Sequence, residues 1–258
     1  MKIDFIAAEL RLAMREPGCP ICRLRDEAEY GYLYFLLYEN VNDSSTRQQI
    51  VASLDFCSQH TWQMGRIETR KFGQAMGNSI IYESLTAIVR DHLARIHDRV
   101  QAERRSRWRR GWERWWERLL HRSRRLPRLD EIRPQATCRV CQIGEQTGQA
   151  HLRWLLEGLA QPQSDFRNWY LHSDRLCFPH LRRALELAGP ETEAGMEFLL
   201  CDALGYLTAL RADPDEYVGK QAWDRRVEAM TEAEKVSWLK ALRFFGGNER
   251  SQDGHRPA

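Results

Sequence analysis

Apolar residues recur along this chain at intervals of three and four rather than two. In EAEYGYLYFLLYENV, Tyr30, Leu33, Leu37 and Val41 fall on one helical face, and in LRWLLEGLA, Leu152, Leu155, Leu156 and Leu159 do the same. SIIYESLTAIVRDHLARIHD and GMEFLLCDALGYLTALRA predict further amphipathic helices of roughly four to six turns. Thr231 and Glu234 form a capping box at the head of TEAEKVSWLKALRFF, with Gly246 as a stop. No long β-branched alternation competes with these helices, so the fold class is all-α. Residues 248–258, NERSQDGHRPA, are polar and aperiodic and predict a disordered tail.

The pattern is written twice. At an offset of 119, Cys19 and Cys22 of CPIC fall on Cys138 and Cys141 of CRVC, and YLYFLL falls on HLRWLL. One residue later in register, Arg47 falls on Arg167, Cys57 on Cys177 and His60 on His180, and the segments around IIYESL and LLCDAL correspond again. A fixed period of this kind identifies a duplicated architecture. It predicts a first lobe over 1–98, a linker helix over 99–133, a second lobe over 134–212, a helical extension over 213–247 and the tail over 248–258.

Six of the seven cysteines lie in these motifs. No continuous apolar leader opens the chain, and its longest uncharged apolar run, about Tyr30 to Tyr38, is short of the ~17–25 residues that span a membrane. A soluble cytoplasmic protein is the expectation, and in a reducing compartment such cysteines are metal ligands rather than disulfides. Cys19, Cys22, Cys57 and His60 make one Cys3His set, and Cys138, Cys141, Cys177 and His180 a second. Four N/S donors suit tetrahedral zinc, two per chain, and a complete shell is structural rather than catalytic. An iron–sulfur cluster is the less favoured occupant. Pairing across the lobes, the first CxxC with the second CxxH, is compatible with the same spacings. Each pair is expected at a helix start, with Pro20 and Pro179 in first turns. Cys201 reads as a core cysteine on an apolar face. The six histidines outside the motifs have no ligand-spaced partner.

Charge is uneven. Between Arg99 and Arg128 stand 12 arginines against Glu103, Glu113 and Glu117, leaving the rest of a chain of net charge +3 at −6. Trp108, Trp112 and Trp115 share a face there, with Arg109, Arg110, Arg114 and Arg118 around it. Such a basic, aromatic helix can bind a protein groove, nucleic acid or an anionic surface, or pack on its own lobes. No phosphate-binding, dinucleotide-binding, zincin or nucleophile-elbow motif is present, and no catalytic residue is assigned. YENVND, with Glu83 and Asp202, reads as a helix end and local pairing rather than an acidic site.

CPIC, YFLLYENVND, DFCSQH and IIYESL together resemble a bacterial family known only as a domain of unknown function. The resemblance is best over the first lobe and implies a bacterial cytoplasmic protein that binds zinc, with no activity to carry over. The second copy lacks the proline of CPIC and any counterpart of YENVND. The reading is a non-enzymatic, zinc-stabilised helical protein that binds a macromolecular partner. A zinc/thiol redox sensor and a nucleic-acid-binding protein acting through the basic linker are the alternatives.

Overall fold

A computed structural model of the chain describes residues 5–109, 129–225 and 227–249, with side chains throughout except at 106–109. Among the described residues every regular element is helical. In order these are α1 (Phe5–Met14), α2 (Pro20–Phe35), α3 (Ser44–Ala52), α4 (Ser58–Ile67), α5 (Met76–Arg109), α6 (Arg139–Ala160), α7 (Asp165–Leu171), α8 (Phe178–Leu187), α9 (Glu193–Gly219) and α10 (Glu232–Gly246). A π-helical turn, Leu36–Asn40, extends α2, and a second, Glu68–Phe72, extends α4. No helix among them is long and apolar enough to cross a membrane.

The repeat holds down to backbone torsions. Cys57 and Cys177 N-cap α4 and α8 with φ, ψ of −67°, 159° and −68°, 159°. Two residues earlier, Asp55 and Arg175 both have positive φ, 101° and 65°. Matched positions are buried alike: Ile21 with Val140, Leu33 with Leu152, Leu36 with Leu155, and Met64 with Ala184 are all exposed by 1% or less. Helix propensity alone does not hold such short helices; burial of the shared apolar face does.

The chain divides into two compact units, and they do not follow the repeats. One comprises Met1–Gly31 and Gln142–Ala258, the other Tyr32–Cys141. The divisions fall inside α2 and α6, so the sequence lobes 1–98 and 134–212 each contribute to both units. In the first unit Leu10 and Met14 of α1 and Ile21 of α2 join Leu152, Leu156 and Leu199 in one core. Phe244 of α10 enters the same core. The capping box is present, with Thr231 and Glu234 bonding each other's backbone, and the helix closes at Gly247 with φ +81°. In the second unit Leu33, Leu36, Ile50, Met64 and Ile81 are buried. There the buried carboxylate of Glu68 accepts from Gly77 N at 2.5 Å and Asn78 N at 2.9 Å, satisfying the open start of α5.

Three boundaries differ from the sequence reading. α5 runs unbroken across the 98/99 division, and Arg95 and Arg99 of α5 both bind Glu131 beyond the basic segment. α9 likewise continues across the 212/213 division through Pro214 to Gly219. Asn248, assigned to the tail, is instead hydrogen-bonded to Cys19 at both its amide atoms. Periodicity marks where helices exist; it carries no information on a contact 229 positions long.

Candidate metal centres

Each CxxC and each CxxH sits at the mouth of a helix. Cys19 precedes α2 and Cys22 is its third residue; Cys138 precedes α6 and Cys141 is its third. Cys57 and Cys177 are the N-caps of α4 and α8, whose third residues are His60 and His180. A side chain at the cap and one at the third helical position project to the same side of the helix end. Pro20 and Pro179 lie in these first turns, where a missing N–H costs nothing. The two-residue spacer therefore delivers two donors per helix, beside a positive dipole end that favours thiolate.

The structure brings the donors together in crossed sets. One contains Cys19, Cys22, Cys177 and His180, the other Cys57, His60, Cys138 and Cys141, and in each the four donor atoms lie within 4.8 Å of one another. The within-copy sets read from the sequence, Cys19/Cys22 with Cys57/His60 and Cys138/Cys141 with Cys177/His180, are therefore corrected. The first centre lies wholly in the first unit and the second wholly in the second. The physical reason is that the first turn of α2 is packed with α6 and α8, through Ile21, while α4 shares its unit with the start of α6.

The two sets match closely. In the first, Cys22 Sγ is 3.7 Å from Cys177 Sγ, and His180 Nδ1 lies 3.5, 3.4 and 3.2 Å from the sulfurs of Cys19, Cys22 and Cys177. In the second, Cys57 Sγ is 3.7 Å from Cys141 Sγ, and His60 Nδ1 lies 3.1, 3.5 and 3.4 Å from Cys57, Cys138 and Cys141. A disulfide requires about 2.05 Å between sulfurs, and all seven cysteines are free. These residues could hold one metal ion per set.

The thiols of a set do not hold their protons equally. In the first, burial and the neighbouring sulfurs of Cys177 and Cys22 push Cys19 well up. Hydrogen bonds from Cys177 and Cys19, aided by His180, hold Cys22 far below the ordinary thiol range. Cys177 is lowered by Cys19 but raised more by Cys22 and burial, reaching about 12. In the second, burial acts upward on Cys138, yet hydrogen bonds from His60 and from the amides of Cys141 and Cys57 bring it down to about 6. Burial and Cys57 push Cys141 up to about 12. A metal entering either set displaces whatever protons its thiols hold, so binding is linked to pH.

Outside the donors, Arg25 Nη1 lies 3.3 Å from His180 Nε2 and Nη2 lies 3.8 Å from the buried Glu29. A groove of about 430 Å³ adjoins the first centre, lined among others by Cys22, Arg25, Glu145, His180, Arg183 and Asn248. Its charges are mixed, because Arg183 pairs with Glu145 and Glu186. Sequence reading missed Arg25, Gly18, Gly247 and Asn248; the change from Gly18–Cys19 to Thr137–Cys138 between copies was the available signal.

Other expected site residues resolve differently. Trp108, Arg109, Arg110, Trp112, Arg114, Trp115 and Arg118 lie outside the residues whose side chains are described. Cys201 is exposed on α9 rather than in the core, because the buried face of that helix is set by Gly195 and Leu199. In YENVND, Asp43 caps α3 by accepting from Thr46 N at 2.7 Å. Glu83 is exposed, and Asp202 accepts from Arg175 Nε at 2.8 Å. His151 is buried, with Nε2 3.0 Å from Glu9 and Nδ1 2.8 Å from Thr147 O.

A family model of unknown function, DUF6062, matches residues 2–199, which include all eight donors. The chain belongs to DUF6062. The DUF6062 match ends within α9, so α10 and Asn248 lie beyond the matched span. No curated protein and no solved structure matches the chain.

Proposed function

We propose that each Cys3His group binds one Zn²⁺ and that this DUF6062 member is a non-enzymatic, zinc-stapled helical scaffold for a macromolecular partner. The supporting observation is the spacing of the donors. Zinc bonds of about 2.3 Å to sulfur and 2.0–2.1 Å to nitrogen imply tetrahedral edges of about 3.8 Å between sulfurs and 3.5 Å between sulfur and nitrogen. The edges here are 3.7 Å and 3.1–3.5 Å. Four protein donors close the shell, which suits a structural ion and leaves no position for a metal-bound water. Three thiolates on a dication leave one net negative charge, and two helix N-termini face it in each centre. The free thiols favour a reducing, cytoplasmic setting, and the family resemblance a bacterial one. The partner reading rests on the composition of the Arg/Trp segment, where a protein or nucleic acid would bind.

Elemental analysis of the purified chain tests the metal: two zinc per chain is expected, and folded protein without zinc, or brown iron-bearing protein, overturns it. The partner reading expects loss of salt-sensitive binding when Arg109, Arg110, Arg114 and Arg118 are replaced by Ala. A zinc/thiol sensor is favoured by one observation, the partial exposure of Cys22, Cys57 and Cys141. Zinc release by mild peroxide, reversed by a thiol reductant, would support that role; centres inert to peroxide exclude it.

A further inference from the structure

The two centres share donors but not surroundings. At the first, the chain leaving α10 comes back over the ligands. Asn248 Oδ1 accepts from Cys19 N at 2.6 Å and its Nδ2 donates to Cys19 O at 3.0 Å, a two-point clasp on the peptide groups of a ligand 229 positions away. Gly247 lies so close that a Cβ added to it would stand 2.9 Å from Cys22 Sγ and 3.5 Å from Cys177 Sγ. Its φ of +81° is also one that only glycine adopts without strain.

The space for this clasp is specific to the first copy. Gly18 has φ +92°, and a Cβ there would meet Asn248 Oδ1 at 2.4 Å. The equivalent position before the second CxxC is Thr137, which carries the side chain that Gly18 must lack. The helix behind the clasp is held independently. Phe244 is buried against Tyr206, ring centres 5.7 Å apart, and Glu234 binds Lys220 at 2.8 Å.

We propose that α10 and Gly247–Asn248 form a latch specific to the Cys19/Cys22/Cys177/His180 centre, so that docking of the C-terminal helix and retention of that centre's metal depend on each other. The inference rests on both centres holding zinc. With the latch closed, the amide of Cys19 is engaged and the Cα of Gly247 covers the sulfurs of Cys22 and Cys177, so a competing ligand cannot approach from that side. With the metal gone, the sulfurs of Cys22 and Cys177 are no longer tied to one ion, and the surface on which Gly247 sits is no longer fixed. Asn248 then clasps a segment free to move. The second centre has no such cover from Asn248 and exchanges its metal independently of α10.

The experiment mixes the zinc-loaded full chain with excess 4-(2-pyridylazo)resorcinol and follows zinc transfer. Two phases are expected, and His180→Ala, which removes the first centre, identifies the slow one. Asn248→Ala should accelerate the slow phase about tenfold, the effect of losing two ordinary hydrogen bonds, and leave the fast phase unchanged. Hydrogen exchange gives the reciprocal arm: α10 amides should lose protection in His180→Ala and keep it in His60→Ala. Unchanged release in Asn248→Ala, equal acceleration of both phases, or equal loss of α10 protection in the two histidine variants overturns the latch alone. A folded chain purified without zinc overturns the zinc reading and the latch with it.

Discussion

Cys22 and Cys177, 155 positions apart, face each other with sulfurs 3.7 Å apart, while Cys57 of the first repeat belongs to the other donor set, with Cys138 and Cys141. Each copy thus offers its CxxC to one centre and its CxxH to the other. Because each donor set combines the two copies, variants in pairs report the wiring directly.

Cys57→Ala should remove one of two metal equivalents. Adding Cys138→Ala should remove no more, because both belong to one centre, whereas Cys57→Ala with Cys19→Ala should abolish binding. Metal-to-protein ratios measured on the single and double variants check this; within-copy wiring gives the opposite pattern.

Leu33 and Leu152 occupy equivalent positions and are both 0% exposed. Leu33→Ala and Leu152→Ala should each cost about 2–5 kcal/mol, from lost transfer energy and the cavity left behind. Urea unfolding of the zinc-loaded variants, with the denaturant slope unchanged, measures it.

Gly77 and Gly195 mark the close approach of α5 and α9 to the chain before them, but with different neighbours. A Cβ at Gly77 meets side-chain atoms of Glu68, Leu37 and Val41 at 3.0–3.2 Å, whereas one at Gly195 meets the backbone oxygen of Leu156 at 2.4 Å. Side chains can give way and a helix carbonyl cannot. Gly195→Ala should therefore destabilise by about 1–3 kcal/mol and by more than Gly77→Ala, as read from thermal or urea unfolding.

Glu234 is held below the ordinary carboxylate value of 4.5 first by the hydrogen bond from Lys220 and then by the amide of Thr231. A carboxyl lowered on folding adds stability that is complete above 4.5 and lost as pH falls through the depressed value. α10 should be better protected from hydrogen exchange in the native chain than in Glu234→Gln at pH 7, and the difference should vanish as pH falls below that range.

The helices, the capping box at Thr231 and all eight donors were legible in the sequence, because each is set by residues within a turn or two. Wiring was not legible, since both CxxC motifs have the same spacing and donors and either fits either CxxH. What selects the crossed arrangement is the burial of Ile21 and its neighbours among α6, α8 and α9, which is a property of packing. The exposure of Cys201 follows the same logic. GMEFLLCDALGYL is apolar over more than one face, and the close contact of Gly195 with Leu156 decides which face turns inward.

Crossed wiring also changes what a single repeat could be. One copy carries a CxxC and a CxxH that do not meet, so on its own it can fill neither centre. Two separate copies could fill both by reciprocal exchange, which is the closure rule of a symmetric homodimer. The tandem chain holds that exchange within one polypeptide, where the partner's effective concentration is set by the linker rather than by expression level. The two repeats are then free to differ, and the contrast between Gly18 and Thr137 and the clasp of Asn248 on Cys19 are asymmetries that an exchange between identical chains could not sustain.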